Sequence, residues 1–545
     1  MMRTSHAVGR AETEPHKSWL PMIIIAMGQA QMSLNINALP VSIGGIVDDF
    51  HTAPTTVATT IVAHSLAVAG FTMLGARLGE KFGSLKLFRA ATGVLLASMV
   101  LMTLSRNVTI MIAAQVIAGL ASAAIVPTLV VLIVNTYTGK QQAKALGVLG
   151  AVQAIAAATA FFVAGVVGTY FGWRYAFGFI IPVTAVTLVL SIRLKPVPKM
   201  PGVTIDGVGA TLAAAAVILI SLGVNNLDPW GGFLASTLAP FSVLGLSPAL
   251  VMIVAGVVGI QLFIAWTQRR QARQQMPLLA PVVVESMPER AAIFSMMSVV
   301  MLGNALTFLV PLYIQIVQGR TSLYTAIAMI PFQLSVFAAA ILVLALYDRQ
   351  TPCQIARCAF ALVSVAMVMM AVVMNNEWSN LLVVLALMMF GIGQGALMTL
   401  LFNVLVTSAP KHLAGDVGSL RGTIKSLAAG IGTAAGGALA VAILSVNIER
   451  SLADNPNIPP ELIQQVDLDR ATFVSNERLK DVMANTTATP EQISEAVRIN
   501  TEARLRALKL SLLVLAGAAL LAIVPAGRLP SYKRNEQSGR QPQKS

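Results

Sequence analysis

WLPMIIIAMGQAQMSLNINALPVSIGGI, residues 19–46, decides how the rest of the chain is read. At about 1.5 Å per residue the run is long enough to cross a hydrocarbon core of roughly 30 Å. It carries Gln29, Gln31, Asn35 and Asn37 and no charge. An amide in hydrocarbon must find hydrogen-bond partners, so these side chains are expected to face other helices or a water-filled cavity. Two readings stay open: the amides glue helices together, or they line a cavity for a substrate.

The composition agrees with a membrane span. With 56% hydrophobic and only 11% charged residues and a mean hydropathy of +0.76, the chain belongs with polytopic membrane proteins. The net charge of +14 does not mark a nucleic-acid binder, because Lys and Arg sit in short loops between apolar runs. Cys353 and Cys358 have no His or further Cys beside them, so they read as small buried hydrophobes and no metal or other cofactor is expected.

Apolar runs of spanning length recur near 19–46, 55–78, 87–105, 108–136, 145–170, 173–193, 206–225, 248–267, 291–317, 322–347, 354–374, 378–408, 417–445 and 506–526, about fourteen helices in all. Alternate loops collect Arg77, Lys81, Lys86, Arg89, Lys140, Lys144, Arg193, Lys195, Lys199, Arg269, Arg270, Arg273, Arg349, Arg357 and Lys411. Basic loops face the cytoplasm, so both termini are expected there, in a bacterial-type inner membrane. Residues 1–18 read as a cytoplasmic tail and 527–545 as a basic one. The segment 446–504 holds ten of the 23 acidic residues and reads as an outer polar insert of short helices, with Thr489, Pro490 and Glu491 as a helix start. Asn485-Thr486-Thr487 fits a glycosylation sequon.

The loop Gly75-Ala-Arg-Leu-Gly-Glu-Lys-Phe-Gly-Ser-Leu-Lys86 permits a tight turn at its glycines and offers Glu80 to Lys81, Lys86 and Arg89 for inter-helix ion pairs. It resembles the loop between helices two and three of the major facilitator superfamily, with Leu78, Glu80, Lys81, Gly83 and Lys86 matching in kind and Ala76 where the first glycine would be. Phe308-Leu-Val-Pro-Leu-Tyr-Ile-Gln315, Phe171-Gly-Trp-Arg174 and Ala414-Gly-Asp-Val-Gly-Ser-Leu-Arg-Gly-Thr-Ile-Lys425 are similar to segments of its fourteen-helix drug:proton antiporter branch, the EmrB/QacA type. The resemblance implies an all-α integral membrane fold. Two pseudo-symmetric six-helix halves, 19–193 and 291–526, would flank two central helices in 206–267, with Glu80, Lys81, Gly83 and Lys86 at a cytoplasmic gate.

The departures from that branch bear on mechanism. Its first-helix aspartate is here Gln31, its fourth-helix arginine is Gln115, and the Gly-Pro of its fifth helix is replaced by Ala160 and Phe161. No Asp or Glu lies deep in any expected helix; Glu80, Asp206 and Asp416 fall at helix ends. A proton-coupled exporter needs a titratable interior group, and His64 is the candidate, either as a proton carrier or as a satisfied interhelical hydrogen bond. Arg421 and Lys425 read as snorkelling to the rim.

Gln31, Asn35, Gln115, Gln153, Asn304, Phe308, Gln333 and Asn403 are the candidate cavity residues, within a wider set that includes Gln394, Phe161, Phe162, Phe332 and Phe402. Paired donors and acceptors with aromatic faces suit a neutral, flat solute better than a lipophilic cation. The expected function is alternating-access transport of a small neutral organic solute by a monomer in the bilayer, leaning to uptake of a vitamin-like aromatic such as riboflavin. Multidrug efflux by proton antiport is the alternative. No nucleophile, metal cluster or phosphate loop suggests an enzyme.

Overall fold

The structure, a computed structural model, describes residues 18–531 except 138, 198–204, 228–229, 232, 237–238, 276, 279–285, 348, 376–380, 409–413, 454–475 and 485–487. Lys199, Lys411, the sequon at 485–487, residues 1–17 and residues 532–545 lie outside the described residues.

The described chain is almost wholly helical. The first half runs α1 (Leu20–Val41), α2 (Ile43–Phe50), α3 (Pro54–Phe82), α4 (Ser84–Thr103), α5 (Val108–Thr136), α6 (Gly139–Tyr170), α7 (Trp173–Gly178) and α8 (Ile180–Leu190). A central pair follows, α9 (Gly207–Asn225) and α10 (Pro248–Ala272). The second half runs α11 (Met287–Leu312), α12 (Ser322–Tyr347), α13 (Pro352–Val373), α14 (Leu381–Ser408), α15 (Ala414–Ala453), α16 (Asn476–Ala484), α17 (Pro490–Leu521) and α18 (Ile523–Ala526).

Among the described residues 13 helices are long and apolar enough to cross a membrane. The 22-residue α1 is not among them, because its four amides dilute its hydropathy; with it the count reaches the expected fourteen. The segment 446–504 differs from expectation. Its ends are continuations of spanning helices: α15 extends to Ala453 and α17 starts at Pro490. The start is as read, with Thr489 as N-cap in a capping box with Gln492.

Small residues set the helix spacing. A Cβ on Gly75 would strike the backbone of Ala123, and one on Gly119 would strike the His64 carbonyl and Ala67, so α3 and α5 approach at backbone distance. In the second half Gly432 and Gly436 bring α15 against Met301 and Ala305 of α11.

The halves meet along two seams. In one, Gly422 of α15 faces Thr72 and Val126, and Gly430 faces Ser65. In the other, Gly165 of α6 faces Leu323 and Ala326, and the Leu323 amide donates to Thr169 Oγ1 at 2.9 Å. The central pair covers the first seam, with Ala214 of α9 3.5 Å from a Gly70 Cβ and Ser221 beside Gly430. Asp206 ties the pair together: it caps α9 through the Gly209 amide at 2.9 Å and accepts from Trp266 Nε1 of α10 at 3.0 Å.

Gly75→Ala is expected to destabilise the purified protein by about 1–3 kcal/mol through overpacking, read as a lower melting temperature in detergent. Gly93→Ala, where nothing lies within 4 Å of the new methyl, does not lower it, since alanine is the better helix former.

Candidate functional site

The polar interior of the first half centres on a reciprocal amide pair. Asn35 Nδ2 donates to Gln115 Oε1 and Gln115 Nε2 donates to Asn35 Oδ1, both at 2.9 Å and both fully buried. The Gln115 carbonyl lies 3.2 Å from His64 Nδ1; a carbonyl only accepts, so Nδ1 donates. Gly119, one turn along α5, permits the approach. One pair thus ties α1, α5 and α3 at a single level.

Gln31 sits one turn before Asn35, completely buried, and neither amide atom has a partner. The Asn35–Gln115 bond and the packing of Leu129 beside Gly28 set a register between α1 and α5 that brings Ser122 to the level of Gln31. The Ser122 hydroxyl is likewise buried and unpartnered. By contrast, Gln29 and Asn37 turn back onto their own helix through Ser33.

The other candidates spread over both halves. Gln153 on α6 is half-buried and Gln333 on α12 is buried, and neither amide is hydrogen-bonded within the described residues. Asn304 and Asn403 donate to the carbonyls of Val300 and Thr399 one turn back. Phe308, Phe161 and Phe332 are packed into the core, while Phe162 is 56% exposed. An apolar pocket between α1, α6 and α8, lined by Leu34, Ala38, Ala160 and Ile180 among others, touches none of the candidate amides.

At the face where α1 begins, the glycine loop turns at Gly83, whose φ of +97° suits glycine. The ion pairs differ from expectation. Glu80 pairs with Arg77 at 2.9 Å, and Arg77 also reaches Asp416 on α15 at 3.4 Å and the Pro277 carbonyl at 2.9 Å. Lys81 and Lys86 are exposed. Arg89 donates to the Ser191 carbonyl at 2.8 Å. The physical reason is helical direction: Arg77 points from the last turn of α3 toward the seam, whereas Lys81 and Lys86 point outward. Nearby, Tyr137 takes the Met22 amide at 3.0 Å and donates to the Ser18 carbonyl at 2.9 Å; burial pushes its phenol up, which keeps the donating proton in place.

At the opposite face Gln315 joins the halves. Its Oε1 accepts from the Gly44 amide at 2.7 Å and its Nε2 donates to the Pro40 carbonyl at 3.2 Å. Gln315 lies in a π-helical turn, Tyr313–Val317, that follows Pro311, and Pro40 precedes the break between α1 and α2 at Ser42. Buried Arg504 of α17 braces the same turn by donating to the Ile316 carbonyl. Arg174 closes the corner by pairing with Asp49 at 2.6 Å and donating to the Ser105 carbonyl. Sequence reasoning singled out the Gln315 segment without assigning it a role; the signal was an amide one turn past a helix proline. The Arg421 guanidinium lies over the Phe402 ring, 3.8 Å from the centroid.

Comparisons with known proteins agree with this architecture. A bacterial homologue of the human lysosomal transporter Spinster, in an inward-facing and occupied conformation, superposes with a TM-score of 0.59 over 95% of this chain and 98% of its own, at 12% identity. The chain is 23% identical over 422 residues to the riboflavin transporter RibZ of Clostridioides difficile, covering 77% of this chain and 87% of the relative. It is 21% identical over 437 residues to the multidrug efflux pump LfrA of Mycolicibacterium smegmatis, covering 80% and 83%. The profile of the Major Facilitator Superfamily matches residues 24–433, and the chain belongs to that family of membrane transporters.

Proposed function

We propose that this transporter carries a small, flat, hydrogen-bonding organic solute by alternating access, leaning to uptake of a vitamin-like aromatic such as riboflavin, with the Arg- and Lys-rich face in the cytoplasm. One observation carries the reading. One turn before Asn35 on α1, Gln31 is fully buried with both amide atoms unpartnered. A buried polar group left so costs about 1–3 kcal/mol. In a transporter that cost is offset whenever a solute or water satisfies the group, which makes position 31 a contact for cargo.

The interior also lacks what a cation pump uses. Every described Asp and Glu lies near a helix terminus, in a loop or on the polar extension of α17, so no carboxylate waits inside for a lipophilic cation or a proton. Among the described residues His64 is the histidine of the interior, already engaged with the Gln115 carbonyl. The similarity to a riboflavin transporter, RibZ, supports a flat aromatic solute; the similarity to the multidrug efflux pump LfrA keeps efflux as the competing reading.

Cells lacking their own riboflavin uptake are expected to accumulate radiolabelled riboflavin, or another vitamin of like shape, saturably when they express this chain. Absence of uptake, with lowered drug retention in the same cells, would favour efflux, and a protonophore arm reads whether a proton gradient drives the movement. A second expectation concerns the amide pair. Asn35→Leu strands the Gln115 amide and costs about 1–3 kcal/mol of stability. Asn35→Leu combined with Gln115→Leu costs less than the sum of the two single changes, checked by thermal melts.

A further inference from the structure

Two cations on α15 have no counter-charge among the described residues. Arg421 and Lys425 stand four residues apart, one turn on the same helix face. Both are half-buried, and among the described residues neither has an ion pair or hydrogen bond; Arg421 Nε is buried with no partner. The acids that lie nearest along the chain and across the seam are already committed, since Asp416 and Glu80 both hold Arg77. Unpaired charge inside a membrane protein is costly and is kept where it is used.

The geometry favours use as a binding site. The Phe402 ring lies under the Arg421 guanidinium. A cation–π stack takes the face of the guanidinium and leaves its edge N–H donors free, the edge that matches a carboxylate or phosphate in two parallel hydrogen bonds. Lys425 adds a point charge one turn deeper. It lies nine residues past Asp416, about 13 Å along the axis, and five before Gly430, about 7 Å. Gly430 packs on Ser65, beside His64. Lys425 therefore stands between the Asp416 end of α15 and the level of the Asn35–Gln115 amides, with Arg421 one turn nearer that end.

We infer that the transported solute carries an acidic group, a carboxylate or phosphate, that docks between Arg421 and Lys425 while its hydrogen-bonding body meets the amides of the first half. The inference rests on the transport reading above and narrows it: the amides alone suit a neutral solute, and the cations add a charged end to the same body. Such a solute touches both halves at once, one by charge and one by hydrogen bonds, and draws them together around it.

The test uses purified full-length protein in uncharged detergent and two matched pairs, nicotinate against nicotinamide and riboflavin 5′-phosphate against riboflavin, with inorganic phosphate as a body-free probe. The acidic member of at least one pair is expected to bind roughly 10- to 100-fold more tightly than the neutral one. Phosphate is expected to raise the melting temperature. Arg421→Gln and Lys425→Gln each abolish both effects, and Lys425→Arg keeps them. Equal binding of acid and neutral members, unchanged in the Gln variants, overturns the acidic group and leaves the transport reading standing. A phosphate effect that needs Arg421 and Lys425, with no binding of any aromatic, keeps the anion site and counts instead against the vitamin-like solute. No response to phosphate or to any acid overturns the inference. So does loss of the acid preference in phosphatidylglycerol nanodiscs but not in phosphatidylcholine nanodiscs, which would assign the cations to a lipid headgroup.

Discussion

Hydrocarbon offers no hydrogen-bond partner, so every polar atom inside this bundle must be matched by the protein, by water or by cargo. The Asn35–Gln115 pair is the clearest matched case: two amides on different helices exchange both of their bonds at 2.9 Å and fix the relative height of α1 and α5. Against that pair the unmatched atoms stand out. Gln31 on α1, Ser122 on α5 and Gln394 on α14 each keep buried polar atoms without a partner, and Arg421 keeps a buried Nε. A structural role for these side chains would be served better by matching them or by making them apolar, so their survival as orphans is what gives the interior its functional reading.

The same constraint explains how the interior is closed without being locked. The halves share glycine-lined seams, at Gly422 and Gly430 on one side and Gly165 on the other, where small residues let the helices approach closely. Sliding along such a seam breaks little packing. The specific bonds gather at the two ends: Gln315 to Gly44 and Pro40 at one face, Arg77 to Asp416 at the other. Each is a few hydrogen bonds strong, about 0.5–1.5 kcal/mol apiece and more where a charge takes part, the scale on which a solute's binding energy can shift a population. The π turn at Tyr313–Val317 and the break at Ser42 put irregular backbone at the Gln315 junction, where it is buried in protein and so tolerated.

Much of this was legible from the residues alone. Helix number and order follow from apolar runs of spanning length, and the polar character of α1 follows from its four amides, although those amides also take it below the hydropathy of an ordinary span. The helix start at Thr489 was readable from hydroxyl, proline and following polar residues. What the sequence leaves open is which amide meets which. Nothing in the spacing of Asn35 and Gln115, 80 residues apart, states that they pair, while Gln29 and Asn37 fold back on their own helix. Phe162 and Phe161 are neighbours in sequence, yet one is exposed and the other is core, because α6 presents them a hundred degrees apart. The reach of α15 and α17 beyond the apolar zone was hidden by their polar composition, since a solvated helix lacks the apolar signal that marks a span. Nor does the sequence state what the Arg421 guanidinium meets: length permits an arginine to snorkel, and the structure stacks it on Phe402.

The central claim is that the unpartnered amide of α1 faces the path of the solute. The most direct measurement is thiol accessibility of Gln31→Cys, in a background with Cys353 and Cys358 replaced by Ser, in inside-out membrane vesicles. The account predicts modification by a small membrane-impermeant methanethiosulfonate and protection by transported solute, although position 31 is fully buried in the structure described here. A cysteine at the exposed Lys86 should be modified with or without solute. Position 31 unreactive from either side of the membrane, with Lys86→Cys labelled normally, would make the amide a piece of helix packing and contradict the account.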